Sequence, residues 1–533
     1  MSCGGINDAV VHPAAVREGW SSPARLSYER SSWSERYVRW NCVAVLVFAV
    51  SSLAHRQAAC DSLSEVVLPL LNLADVDYAD VSPDPGLDLW REPAGSRVSL
   101  RFRDEDVLRK YVDGVRVARL ANRSSLLTIG LERLSEGGRR HGLTLQASGG
   151  ALEYDGRDSD GDWSGGAGTR DRYSRLEYRL EAGRHRAGVG ISRSRSSGRD
   201  QQVSIERFRS SKTDVRMNRF FWDLLEPTFG REIDFTWRDH RWELDAGWLV
   251  ALSRRTRFGL AARLQEARPR TEVHYVNDGA MAELRGLRRA DVRQKLQNLR
   301  LSLAYEHRFR PDWLAWGEAA YTRQRLRATV VQRDVPRSDS GVILDVLELG
   351  SGAGTREGFD LKARARWRRS KQSSLVTTAG WGRATYDAEG EGSTPVLGLS
   401  LRTLPIAHRA DTNLSGTIET WFAGVHWERN WSRMALRAGG LAARSEIEAQ
   451  TRANAHMAFG LFVAPVSAAS EYDVAVYRLF LAPSARLWAR ICLDYQATQY
   501  LANVNRREPE PEPQRQEKIR GGMIHTLTLT YDL

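Results

Sequence analysis

From Phe359 to Arg368 the chain alternates without a break. Phe359, Leu361, Ala363, Ala365 and Trp367 fall on one parity; Asp360, Lys362, Arg364, Arg366 and Arg368 fall on the other. A period of two places successive side chains on opposite faces of a strand, whereas a helix would scatter the same residues around its axis. A polar turn, Ser370 to Ser373, leads into a second alternating run in which Leu375, Ala379 and Trp381 share a face, and the pair reads as a β-hairpin. The consecutive cations Lys362, Arg364, Arg366 and Arg368 are denser than an ordinary solvated sheet needs. If the apolar face meets lipid, the cationic face has to line water.

The pattern recurs. Leu176, Tyr178 and Leu180 alternate with Arg175, Glu177, Arg179 and Glu181, and after Gly183-Arg184-His185 the residues Ala187, Val189 and Ile191 alternate with Arg186, Gly188, Gly190 and Ser192. Leu299, Leu301, Leu303, Tyr305 and Phe309 alternate with Arg300, Ser302, Glu306, Arg308 and Arg310; Leu487 to Tyr495 forms another such run. Segments of roughly ten residues with an outward apolar face, separated by turns, are the additive signature of a transmembrane β-barrel. A soluble β-sandwich would carry large aliphatics on its packed face, whereas Ala and Gly are frequent here. Trp313 and Trp316, after the Pro311-Asp312 turn, and Trp427 and Trp431, near Ser432, are expected in interfacial girdles.

The expected fold is therefore all-β: a single antiparallel transmembrane barrel of about 16 strands (roughly 14 to 18) with a short N-terminal periplasmic extension. One barrel absorbs most of the 533 residues. No stretch reaches the roughly 20 apolar residues that span a bilayer as a helix. The net charge of +12 would suggest nucleic acid in a soluble protein. Here the Arg residues follow strand periodicity, without a basic domain or recognition motif, and no nucleic-acid partner is expected. Cys3, Cys42, Cys60 and Cys492 imply no disulfide framework, metal centre or haem attachment, so no cofactor is expected.

In chain order, Val43 to Ala54 is a short apolar run after Arg36 and Arg39, which fits the hydrophobic part of a secretory signal. Residues 1–54 are assigned to this leader, with cleavage after Ala54, and residues 55–125 to a periplasmic extension or linker. Within it, Asp104 to Ala121 suits a short helix or an edge strand. Residues 126–533 are assigned to the barrel. Short turns are expected at Glu136 to Gly142, Gly183 to His185, Ser253 to Thr256, Arg310 to Asp312, Ser370 to Ser373, Trp431 to Arg433 and Pro483 to Arg486. Long connections are expected at Asp155 to Asp171, Ser196 to Gly230, Gln332 to Arg356 and Ala502 to Gly521, the last carrying a Glu-Pro repeat. Short turns alternating with long loops are the asymmetry of outer-membrane barrels, whose short turns face the periplasm. Two loop features stand apart: Met281, Leu284, Leu287, Val292 and Leu296 lie near helical spacing, and Phe220-Phe221-Trp222 is an apolar cluster.

The last strand has Met523, Leu527, Leu529, Tyr531 and Leu533 on one parity and ends the chain. It resembles the C-terminal signal strand of Gram-negative outer-membrane β-barrel proteins, although those more often end in Phe. The resemblance covers leader, barrel pattern and terminal strand. It implies a bacterial outer-membrane location, with membrane lipid and the barrel assembly machinery as partners. An Arg-lined barrel resembles polysaccharide exporters and anion-selective porins. The expected function is therefore a channel or exporter, and no enzyme, that favours anionic solutes or an acidic polysaccharide. The pore-lining candidates are Arg175, Arg179, Arg300, Arg308, Lys362, Arg364, Arg366 and Arg368. A purely structural interior network, pairing these with Glu177, Glu181, Glu306 and Asp360, stands beside it. A protein- or lipoprotein-assembly barrel is the second class and an outer-membrane hydrolase the third; for the latter, His141, His185, His240, His274, His307, His408, His426 and His525 form no catalytic motif.

Overall fold

The structure is a computed structural model. It describes residues 89–90, 95–112, 115–135, 137–157, 163–205, 230–278, 285–338, 341–342, 346–394, 408–457, 462–507, 517–521 and 523–533. The leader, the Phe220–Trp222 cluster and the Glu-Pro repeat lie outside them.

Sixteen antiparallel strands close into a barrel. They are β1 (Arg97–Val112), β2 (Val115–Leu134), β3 (Arg140–Arg157), β4 (Trp163–Ala182), β5 (His185–Ile205), β6 (Gly230–Ala251), β7 (Thr256–Ala267 continued by Arg270–Asp278) and β8 (Arg285–Arg310). There follow β9 (Trp313–Ser338), β10 (Gly341–Val342 continued by Val346–Arg368), β11 (Ser373–Thr394), β12 (His408–Asn430), β13 (Met434–Met457), β14 (Phe462–Trp488), β15 (Ile491–Arg507) and β16 (Glu517–Gly521 continued by Met523–Asp532). Each strand pairs with its sequence neighbours, and β1 closes the ring on β16 through Arg97↔Asp532 to Glu105↔Ile524. Closure leaves no open sheet edge, which the hydrocarbon of a bilayer would not tolerate. In β7, Pro269 has no N–H to give, but the Arg268 amide donates to His240 O (3.0 Å) and the Gln294 amide to Pro269 O (2.9 Å), so the ladder continues.

At one end the connections are tight: Ser135 to Arg139, Gly183-Arg184, Leu252 to Arg255, Pro311-Asp312, Arg369 to Gln372, Trp431 to Arg433 and Ala489-Arg490. Gly138 (φ 70°) and Gly183 (φ 60°) supply the left-handed residues that two of these turns require. Both ends of the closed wall meet at the same rim, where the Leu533 amide donates to Ser96 O at 2.9 Å.

The outward face carries a belt of exposed apolar side chains. On β8 it runs Phe309, Tyr305, Leu303, Leu301; on β9 from Trp313 to Tyr321; on β10 from Trp367 through Leu361 to Phe359. Trp313 stacks on Trp367 at the tight-turn edge, and Phe359 meets Trp381 edge-to-face at the far edge. Between these girdles lie about eight residues at ~3.3 Å each; with strands tilted roughly 40°, the belt is about 20 Å tall, close to the apolar band a membrane barrel needs. Beyond it the outward face turns to ion pairs, such as Arg323–Glu357 (3.1 Å), Arg270–Asp291 (3.0 Å) and Arg444–Asp473 (2.9 Å), which belong in the headgroup layer or the water past it. The strands outrun the belt by far, so the wall projects well past the membrane on the side away from the tight turns.

Several expectations are corrected. The wall begins at Arg97, inside the stretch 55–125 assigned to an extension or linker, and Asp104 to Val112 is strand. The Asp155 to Asp171 and Gln332 to Arg356 connections are largely wall, with Val331↔Leu349 and Asp334↔Val346 still paired. Pro483 to Arg486 is no turn: Pro483 pairs with Leu436, and the bend falls at Ala489-Arg490. A two-residue turn alone switches parity, but the β-bulge between Arg486 and Trp488 switches it back, which is why alternation from Leu487 to Tyr495 runs straight through it. From Arg285 onward the helically spaced apolar residues are strand, because each finds cross-strand partners: Val292 lies opposite Val330 and Thr271, and Leu296 opposite Leu326 and Ala267. Residues 279–284 lie outside the described part. Trp316 faces inward and is buried, three residues and therefore one parity step from the outward Trp313.

The charged lumen as candidate functional site

Alternation that sends Leu, Trp and Tyr outward sends the charged parity inward. On β4, Arg175 and Glu177 are buried, and Arg175 reaches across β5, where Gly190 leaves room for its guanidinium, to β6. There it donates to Asp245 (2.5 Å) and approaches Glu243 (3.5 Å), while Arg263 of β7 closes on the same Asp245 at 2.6 Å. Arg179 approaches Glu177 at 3.4 Å and Arg186 approaches Glu181 at 3.4 Å. Arg300 of β8 spans β9 to reach Asp360 (2.9 Å) on β10 and Glu318 (3.4 Å) on β9 between them. Arg257 pairs with Glu306 at 3.6 Å. Arg366 of β10 spans β11 to Glu428 of β12, which also accepts from Ser374 at 2.8 Å.

The eight predicted lining residues thus share the inward parity, but they do not form one uniform row. Arg175 is sealed beneath the surface, with its side chain 2 % exposed. Arg179, Arg300, Lys362, Arg364 and Arg366 are partly exposed, and Arg308 and Arg368 lie exposed at the tight-turn rim. Depth separates partner from partner. The Glu428 side chain is 5 % exposed beneath Arg366 at 32 %; Glu318 is 5 % and Glu177 is 4 % beneath Arg300 and Arg179, both at 23 %. Asp245 is fully buried under Arg263, also at 23 %. Glu181 and Asp360 run the other way, more exposed than Arg186 and Arg300.

Sequence reading missed two components of the lumen. The first is a set of inward apolar side chains on β11 to β14: Val376, Phe422, Leu441, Val474, Val476 and Phe480, all buried. Their burial keeps these apolar groups away from water. Phe422 lies over Gly380, where a Cβ would overlap its ring. The second is the segment before β1. Leu89 and Trp90 are 2 % and 4 % exposed and cluster with Leu249, Ala304 and Trp316 inside the tight-turn mouth. Arg186 donates to Leu89 O at 3.3 Å, and Gly95 donates to Glu132 as the chain turns into the wall. A Trp in an aperiodic acidic stretch carried no signal of such a seat.

The histidines do not assemble a nucleophilic site among the described residues. His307 stacks with Tyr305 and His525 with Tyr495 on the outward face, as the parity predicts. His426 is inward and buried, 3.2 Å from Glu428, but the Ser374 hydroxyl donates to that same carboxylate rather than to the imidazole. No base is placed to activate it.

A closed, even-numbered antiparallel barrel with a lipid belt, aromatic girdles and a charged interior is a transmembrane β-barrel of the bacterial outer-membrane type. No family model and no curated protein matches the chain. Among solved structures it is similar to the Pseudomonas putida toluene transporter TodX, at 10 % identity and TM-score 0.38 over 83 % of this chain and 91 % of that one. It is also similar to a Pseudomonas aeruginosa FadL homologue (12 %, TM-score 0.34, 82 % and 90 %) and to the translocator domain of the Neisseria meningitidis autotransporter NalP (12 %, TM-score 0.26, 66 % and 90 %). At these scores the likeness carries no argument about what passes through the lumen.

Proposed function

We propose that the protein is an outer-membrane channel that favours anionic solutes, including acidic saccharides, and is narrowed at its periplasmic mouth by Leu89 and Trp90. A 16-strand wall is wide enough to leave an aqueous path. One observation carries the preference: the carboxylates Glu428, Glu318, Glu177 and Asp245 lie beneath the guanidiniums of Arg366, Arg300, Arg179 and Arg263. Pairing neutralises these groups formally, yet water in the lumen meets mainly the cationic member. A solute therefore experiences a positive surface, which concentrates anions and lowers the barrier to their passage. The interior network and the pathway are then the same object, since burying the acids holds the guanidiniums in place.

The test is solute flux in liposomes. Arg364→Ser, Arg366→Ser and Arg368→Ser together should reduce the anion-to-cation flux ratio on the order of tenfold, while Glu428 keeps Ser374 and His426 as partners. An unchanged ratio in folded triple variant removes these residues from the pathway.

A further inference from the structure

On the outward face of β8 and β9, just past the girdle residue Tyr321, the next side chains of that parity on β9 are Arg323, Arg325 and Arg327. Across the ladder Arg327 lies directly opposite Lys295, and Arg325 opposite Gln297. Two like charges directly opposite on one face of a sheet repel, and that arrangement needs a counter-charge. Arg323 has one in Glu357, at 3.1 Å. Among the described residues no carboxylate pairs with Arg325 or Arg327, both exposed, and Lys295 reaches only Glu266 at 3.8 Å. Other outward cations beyond the belt do have partners: Arg123 has Asp104 at 3.3 Å, and Arg444 has Asp473 at 2.9 Å.

From this placement we infer that Lys295, Arg325 and Arg327 form a docking site for phosphorylated headgroups of outer-leaflet lipid. Three features combine. The cations stand beyond the apolar belt on the side away from the tight turns, at the depth of headgroups rather than acyl chains. They face outward, where lipid is the neighbour. They are long, flexible chains that can lie along apolar surface and present charge to a phosphate. Arg is suited to this because its planar fork binds phosphate oxygens in pairs. The site rests on the reading that the belt spans the outer membrane with its tight turns in the periplasm, but it is independent of what the lumen conducts.

The experiment is native mass spectrometry of the full chain, released from membranes doped with a bisphosphorylated glycolipid of the lipid A type. The same protein is taken from zwitterionic bilayers as the reference. The wild type should retain the glycolipid, and Lys295→Gln, Arg325→Gln and Arg327→Gln together should reduce retention at least fivefold. Arg123→Gln with Arg444→Gln, which removes outward cations that already have partners, should leave it unchanged. Heat-dependent gel mobility reports that each variant is folded; if the triple variant does not fold, Arg327→Gln alone should still lower retention. Equal retention by folded triple variant and wild type, an equal loss in the Arg123/Arg444 control, or full displacement of the lipid by millimolar inorganic phosphate would overturn the assignment. Because conductance is not read here, failure of the lipid site leaves the channel reading standing, and the reverse also holds.

Discussion

At the scale of single residues, the account turns on what lies under the lumen surface. Asp245 is fully buried and receives both Arg175 and Arg263. Removing one member of such a network leaves buried cations short of a partner, so Asp245→Ala should cost about 3 kcal/mol, read as a fall in the urea midpoint of the lipid-reconstituted barrel. Gly380 offers a steric counterpart. Phe422 occupies the space a side chain there would need, so Gly380→Val should cost about 2 kcal/mol, and Phe422→Ala in the same chain should recover part of it in a double-mutant cycle. Neither site was legible in advance in the same measure. The inward parity of Arg175 and Arg300 follows from period two alone, but which carboxylate each meets depends on register across two strands, and Phe422 over Gly380 joins residues far apart in sequence. Trp316 shows the opposite failure: it was grouped with Trp313 by proximity to a turn, although an odd separation places the two on opposite faces.

At the scale of elements, outward exposure means lipid at one depth and water at another. Leu303 and Val331 are exposed almost equally, at 45 % and 47 %, yet Leu303 sits within the belt and Val331 beyond the ion-paired zone. Leu303→Arg should therefore cost about 2–4 kcal/mol and Val331→Arg within about 0.5 kcal/mol, measured as reversible unfolding in lipid bilayers. Equal costs would contradict the position of the belt. Strand existence was readable from alternation, and so were most of the tight turns, because Gly-Arg, Pro-Asp and Ser-rich steps interrupt it. Strand ends were not. Past the belt the outward face of β9 turns to Arg323, Arg325 and Arg327 while Leu326 and Ala328 lie buried on the inward face, so the apolar-out pattern ends although the ladder continues to Asp334↔Val346. Helical spacing from Leu287 to Leu296 competed with cross-strand pairing and lost, since pairing on both sides satisfies every backbone group.

At the scale of the whole molecule, Leu89 and Trp90 sit inside the tight-turn mouth of a charged barrel, and the proposed reading has them narrow it. Trp90 fills a seat made by Leu249, Ala304 and Trp316, so Trp90→Ala should loosen the segment and raise single-channel conductance severalfold without changing the folded gel mobility. In the proposed reading the direction of selectivity is a separate property, set by guanidiniums lying above their carboxylates along β4 to β12. The most direct test is the zero-current potential of refolded wild-type protein in a planar bilayer under a tenfold potassium chloride gradient. A potential displaced towards the chloride equilibrium value is the predicted result. A displacement towards the potassium value, in protein that conducts and is shown to be folded, would contradict the account.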